Sequence, residues 1–175
     1  CALPESAAWE GQMLVQQLRQ TRTIKRDLEK KLKEVGQKSS AYTCLLTIPG
    51  FGPIVSAMTL AAISDASRFT SRKQILRLAG LDLSASRSGK TSHTAIPVIS
   101  KQGKAGLRYA LIQAAQIASY SDATIRSYYT NLLKGRELER GIKLKMRVKL
   151  AAKMLIVAWT LMKRNEPYDS DHFRT

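Results

Sequence analysis

The stretch Ile142–Lys163 reads IKLKMRVKLAAKMLIVAWTLMK, and its two halves pull in opposite directions. Apolar residues alternate from Ile142 to Leu150, which is the period of a half-buried strand. From Ala151 onward, length and apolar density are those of a helix. A lone strand must satisfy its backbone N–H and C=O groups on a neighbour, and no partner strand is evident. The stretch therefore reads as one helix from about Leu138 to Arg164, and the chain as mostly α.

The rest of the chain supports that class. Leu14, Leu18, Thr21, Lys25, Leu28, Leu32 and Val35 alternate spacings of four and three inside a charged helix from about Ala8 to Gln37. That is a heptad seam with two polar interruptions. It suits an intermolecular coiled coil, or an amphipathic helix packed on its own domain. Gly36 and Ser39-Ser40 end it. In LLTIPGFGPIVSAMTLAAI, Leu45 to Ile63, the Pro49-Gly50-Phe51-Gly52 run cannot continue a helix. Helix, glycine turn and helix are expected there, then a short helix over Arg72 to Ala79. Gly80 to Ile99 is rich in serine and threonine and should form an extended loop or a small hairpin. A helix is expected from Gln102 to about Tyr120, and Asp122 can cap another from Ala123 to Lys134. The expected organisation is a coiled-coil helix over 1–40, a compact helical domain over 41–169 and a tail over 170–175.

Charge narrows the partners. Lys and Arg number 29 against 13 Asp and Glu, a formal net charge of +16 in 175 residues. Such an excess attracts polyanions, nucleic acid above all. No run approaches the roughly 18 uncharged apolar residues of a spanning helix, so no membrane role is expected. Cys1, Cys44, His93 and His172 lie too far apart in sequence to read as a metal site. No secretory signal is visible, so a reduced, cytoplasmic setting is the default. The chain opens on Cys1 rather than methionine and is expected to be a piece of something longer.

Two elements carry candidate chemistry. A glycine turn between short helices lets backbone N–H groups approach a phosphate, as Gly50 and Gly52 could in a helix-hairpin-helix element. A plain αα-hairpin has the same pattern. The second element is ISKQGKAGLRYALIQAA, Ile99 to Ala115. Ser100 ahead of a helix can cap it. It can also be a nucleophile, because Lys101, Lys104 and Arg108 share the first turns and Gly103 permits close backbone approach. Arg72 to Arg108 holds eight basic residues and a single acidic one, Asp82. Ser100 is accordingly expected at or just before a helix N-terminus, with its hydroxyl reachable from solvent. A serine needs a base, a metal or a lowered pKa to attack. His93 is a weak candidate base, and the carboxylates Asp65, Asp82 and Asp122 are scattered. The chain thus reads as catalytically incomplete by itself. Ser88, in RSGK with Arg87 and Lys90, is the alternative nucleophile or a backbone contact.

The ordered motifs IPGFGP, SRFTSRKQILRLAGL, SGK, ISKQGKAGLRYALIQAA, YYTNLLKGR and EPYD resemble the C-terminal half of bacterial insertion-sequence transposases. That family joins an N-terminal DEDD domain of RNase H fold to a C-terminal serine domain, and Piv-type DNA invertases are relatives. The resemblance covers roughly Leu45 to Asp169, and the helix before it looks like the family's coiled-coil linker. It implies a DNA recombinase acting through a phosphoserine intermediate, with Ser100 as the serine of the serine-lysine-x-glycine motif. It implies Mg²⁺ bound by acidic residues outside this chain, none held by the chain alone, a structured non-coding guide RNA, and a homo-oligomer, dimer or tetramer, through the coiled coil. It also implies a bacterial cytoplasmic protein working on DNA. Members often carry asparagine where this chain has Lys104. The competing function class is a nucleic-acid-binding helix-hairpin-helix module with a coiled-coil dimeriser and no chemistry.

Overall fold

A computed structural model of the protein describes residues 5–84 and 98–173. Within these residues it is mostly α: seven α-helices and a two-stranded antiparallel pair. The helices are α1 (Glu5–Gly36), α2 (Ser40–Leu46), α3 (Pro53–Ile63), α4 (Arg72–Ala79), α5 (Ala105–Ser121), α6 (Ala123–Leu133) and α7 (Ile142–Arg164). The strands are β1 (Leu83–Ser84) and β2 (Val98–Ile99).

The ambiguous stretch is helical throughout α7, and burial explains the alternation. Ile142, Met146 and Leu150, four residues apart, are buried. That spacing is one face of a helix. Leu144, which a strand would place beside them, is 58% exposed. The helix begins at Ile142 and not at the expected Leu138, because Gly135 and Gly141 both take left-handed backbone (φ 76° and 75°). A chain that reverses its φ there cannot carry the helical hydrogen-bond pattern through. Leu138 is fully exposed in this turn.

The core forms where α5 lies along α7, with α2, α4 and α6 also packed on α7 and α3 on α5. Leu111, Leu150, Leu155 and Leu161 are fully buried, each contributing about 1.5–3 kcal/mol. The α5 face is mostly alanine, with Ala114, Ala115 and Ala118 also at 0% exposure. Gly50 (φ 83°) docks on the same helix, and a Cβ there would stand 2.4 Å from the Ala114 carbonyl oxygen. Buried Trp159 donates from Nε1 to the Ala66 carbonyl at 2.9 Å, fixing α7 to the turn after α3. Asp122 caps α6 by accepting from the Ile125 N–H at 2.8 Å. Near the C-terminus the Tyr168 N–H donates to Thr47 Oγ1 at 2.7 Å. Burial, and then Asp122 and Asp169, push the Tyr168 phenol up to about 12. The short 3-10 turn Ser170–Phe173 ends with Phe173 buried, edge-on to Tyr128.

The long helix α1 behaves differently. Its carboxyl end meets the rest of the fold, where Gly36 lies against the Tyr42 ring. Along its length the seam residues Leu14, Leu18, Leu28 and Val35 are 66%, 49%, 58% and 58% exposed. The heptad seam is therefore not consumed by packing within the chain.

Leu144 and Leu150 provide a same-residue test of α7. Leu150→Ala should cost about 2–5 kcal/mol, and Leu144→Ala less than about 0.5 kcal/mol. Thermal unfolding followed by circular dichroism measures both, at roughly 2–4 °C per kcal/mol for a chain of this size. Equal losses would mean that both leucines share one buried face, as in a strand.

Candidate active site

Three short segments make the site: the end of α4, the strand pair, and the approach to α5. Helix α4 stops at Gly80, whose left-handed backbone (φ 63°) turns the chain out while its N–H returns to the Arg77 and Leu76 carbonyls. The chain then runs through Leu81 and Asp82 into β1. Leu83 pairs with Ile99 and Ser84 with Val98. The same register, carried one residue further, sets Asp82 opposite Ser100. The Ser100 N–H donates to the Asp82 carbonyl at 2.8 Å, and the Lys101 N–H to the Gly80 carbonyl at 3.1 Å.

Directly opposed residues of an antiparallel pair project to the same face. Here that places the two polar side chains in contact. Ser100 Oγ donates to Asp82 Oδ1 at 2.5 Å. Ser100 Oγ also accepts from the Gln102 N–H at 3.3 Å. Both residues are half-buried. The expectation that Ser100 stands at a helix N-terminus is corrected. The cap of α5 is Lys104, with no side-chain cap bond, and the helix starts at Ala105 and not at Gln102. Lys101 takes positive φ (56°), which breaks any helical path between Ser100 and Lys104.

The cations near Ser100 are partly engaged by helix ends. Arg108 Nη1 donates to the Ala79 carbonyl at 2.9 Å and the Lys101 carbonyl at 3.3 Å. Lys104 donates its N–H to the Leu78 carbonyl at 2.8 Å, and its Nζ to the Ala62 carbonyl at 3.4 Å. Lys101 apart, these carbonyls belong to the last turns of α4 and α3, whose ends attract positive charge. Gly103 fits against the same end of α4. A Cβ there would meet Gly80 N at 2.5 Å and the Arg77 and Leu78 oxygens at 2.7 Å. Lys101 is exposed beside Ser100.

The structure does not draw all the sequence-derived residues together. Ser100, Lys101, Gly103, Lys104 and Arg108 cluster between α4 and α5. Gly50 instead packs at Ala114. Ala114 lies nine residues past the start of α5, about 13 Å along a helix axis. Gly52, the N-cap of α3 followed by Pro53, is half-buried, with open space where a Cβ would stand. Arg87, Ser88, Lys90 and His93 lie outside the described residues. Asp82 is the site residue that sequence reading missed as a partner. Its signal was its isolation as the one acidic residue between Arg72 and Arg108. Among the described residues, no three His, Cys, Asp or Glu side chains converge. None of the described helices is long and apolar enough to cross a membrane.

The model of the Transposase IS116/IS110/IS902 family matches residues 42–130. The chain belongs to this transposase family. The match takes in α2 through most of α6, and so includes both Asp82 and Ser100. The pilin gene-inverting protein of Moraxella bovis is 30% identical over 125 residues, 71% of this chain and 38% of that protein. Its counterpart in Moraxella lacunata is 29% identical over the same shares. The chain thus spans 38% of the length of these two relatives.

The tight seat of Gly103 should make this site sensitive to one methyl group. Gly103→Ala should lower stability by about 1–3 kcal/mol, as overpacking against backbone does. Gly106→Ala should be close to neutral, because the nearest atom to its Cβ is the mobile Met58 methyl at 3.2 Å. Denaturant titration of the two variants measures the contrast, and equal stability would contradict the close contact with α4.

Proposed function

We propose that this chain is the serine-bearing, DNA-binding part of a transposase that breaks and rejoins DNA through a phosphoserine intermediate at Ser100. The observation that carries this reading is the setting of Ser100. Its hydroxyl lies at a half-buried junction, accepts from the Gln102 N–H and is bonded to a carboxylate, inside the stretch matched by the family. A serine that served only as a cap would bond the first turn of α5, and this one does not. The net charge of +16 supports a phosphate-rich partner. In this reading exposed Lys101, next to Ser100, binds the scissile phosphate, and Gly52 with the start of α3 meets a neighbouring stretch of backbone. The inversion named for the Moraxella relatives is the reaction type taken here for this chain.

In this reading the chain is one part of a larger enzyme. Mg²⁺ would be bound by acidic residues of a DEDD domain outside this chain. The described residues gather no set of ligands that fits the ion. A structured RNA would select the DNA sites, leaving this part to contact backbone and shape rather than base sequence. The exposed α1 seam would join copies of the chain into a dimer or tetramer.

Two measurements test the reading. Ser100→Ala in the full-length protein should abolish strand exchange and the covalent protein–DNA adduct, since it removes the atom that forms the bond. Its stability should fall by only about 1–3 kcal/mol, the value of the hydrogen bonds its hydroxyl makes to Asp82 and Gln102, and DNA affinity should persist through the cations. Recombination by this variant at the wild-type rate would leave the binding-module reading. Glutamate at both Leu28 and Leu32 should shift the protein to monomer in sedimentation without changing its melting temperature by more than about 2 °C, because surface changes cost little. Unchanged assembly would remove the seam as the oligomer contact.

A further inference from the structure

We propose that Asp82 is the base that takes the proton of Ser100 during attack on the DNA phosphate; the proposal rests on the reading of Ser100 as the nucleophile. A serine hydroxyl is a poor nucleophile until a neighbouring group accepts its proton. The one side-chain acceptor bonded to Ser100 Oγ among the described residues is Asp82 Oδ1, at 2.5 Å. That is within the reach a general base needs.

The contact is held by the backbone. One backbone hydrogen bond within the pair, Ser100 N–H to Asp82 O at 2.8 Å, and one next to it, Lys101 N–H to Gly80 O at 3.1 Å, fix the two segments against each other. The Gln102 N–H points at Ser100 Oγ from 3.3 Å. It supplies a donor that steadies the oxygen as its negative charge grows, the kind of preset dipole that lowers such barriers. Asp82 takes part in none of the ion pairs among the described residues. No cation there competes for its oxygens.

The step balances as follows. The Ser100 hydroxyl proton passes to Asp82 Oδ1 as Oγ forms a bond to phosphorus. The bond from phosphorus to the leaving deoxyribose oxygen breaks, and that oxygen takes a proton from water. In rejoining, the incoming strand's hydroxyl loses its proton to solvent hydroxide, the counterpart of the proton water gave in the first step, as its oxygen bonds to phosphorus; the bond from phosphorus to Oγ breaks, and Asp82 returns its proton to Oγ. A carboxylate that only braced the strand pair would be replaceable by any acceptor of the same shape.

The experiment uses the full-length protein and measures the rate at which the covalent protein–DNA adduct forms, beside the melting curve and DNA affinity. Asp82→Asn keeps an acceptor oxygen but cannot take the proton. Asp82→Ser, with a hydroxyl acceptor, is the second variant should the first fail to fold. A folded, DNA-binding variant that forms adduct about 100-fold or more slowly is the expected result, the usual range for losing a general base. A rate within threefold of wild type overturns the role of Asp82 while leaving Ser100 as nucleophile. Wild-type adduct formation by Ser100→Ala overturns the nucleophile reading, and the base with it. A substrate with sulfur in place of the leaving oxygen gives the last arm. The defect should persist on it, because the missing help is to the attacking atom. Recovery of the wild-type rate would move Asp82 to the leaving group and overturn the proposal.

Discussion

Ala114, Ala115 and Ala118 end at Cβ, and the rest of the fold is arranged around that fact. A helix with so thin a face can lie close to α7 on one side and to the Pro49–Gly52 turn on another. Larger side chains along that face would push α7 and the turn apart. Alanines contribute little apolar area even when fully buried, so most of that area comes from the leucines and methionines of α7. The result is a rigid pair of helices from which the approach to α5 projects at one end.

That end holds the candidate chemistry. The last carbonyls of α4 receive the Lys104 N–H and the Arg108 guanidinium, and Gly103 sits against them with no room for a side chain. These contacts pin the segment that carries Ser100 to the segment that carries Asp82. Positive charge near the serine therefore does two things at once. It satisfies helix ends inside the protein, and it leaves the surroundings of the hydroxyl attractive to an anion. A basic residue that holds a helix end is also held in place itself, which is what a phosphate contact requires.

Much of this architecture was legible from local signals. The α4 bounds follow from the amphipathic run between Ser71 and Gly80, and the capping aspartate of α6 was visible as Asp122. The length and apolar density of Ala151 to Lys163 resolved the strand-like run before it, since one helix needs no partner. Element edges were less legible. Leu138 and Gln102 were both placed inside helices that begin later, because left-handed backbone at Gly141 and Lys101 is a property of how the chain packs and turns.

The sequence by itself determined the helical class, the basic character, the two-helix glycine turn and the position of Ser100 ahead of α5, because each rests on residues close together in the chain. The tertiary structure decided what touches Ser100. Asp82 is 18 positions away, and only the strand register sets it opposite the serine. Spacing along a chain does not specify the register of two short strands so far apart in sequence. Tertiary packing also decided that Gly50 faces α5 while the seam of α1 faces solvent. In both cases the determining partner is a surface formed only once distant segments have packed.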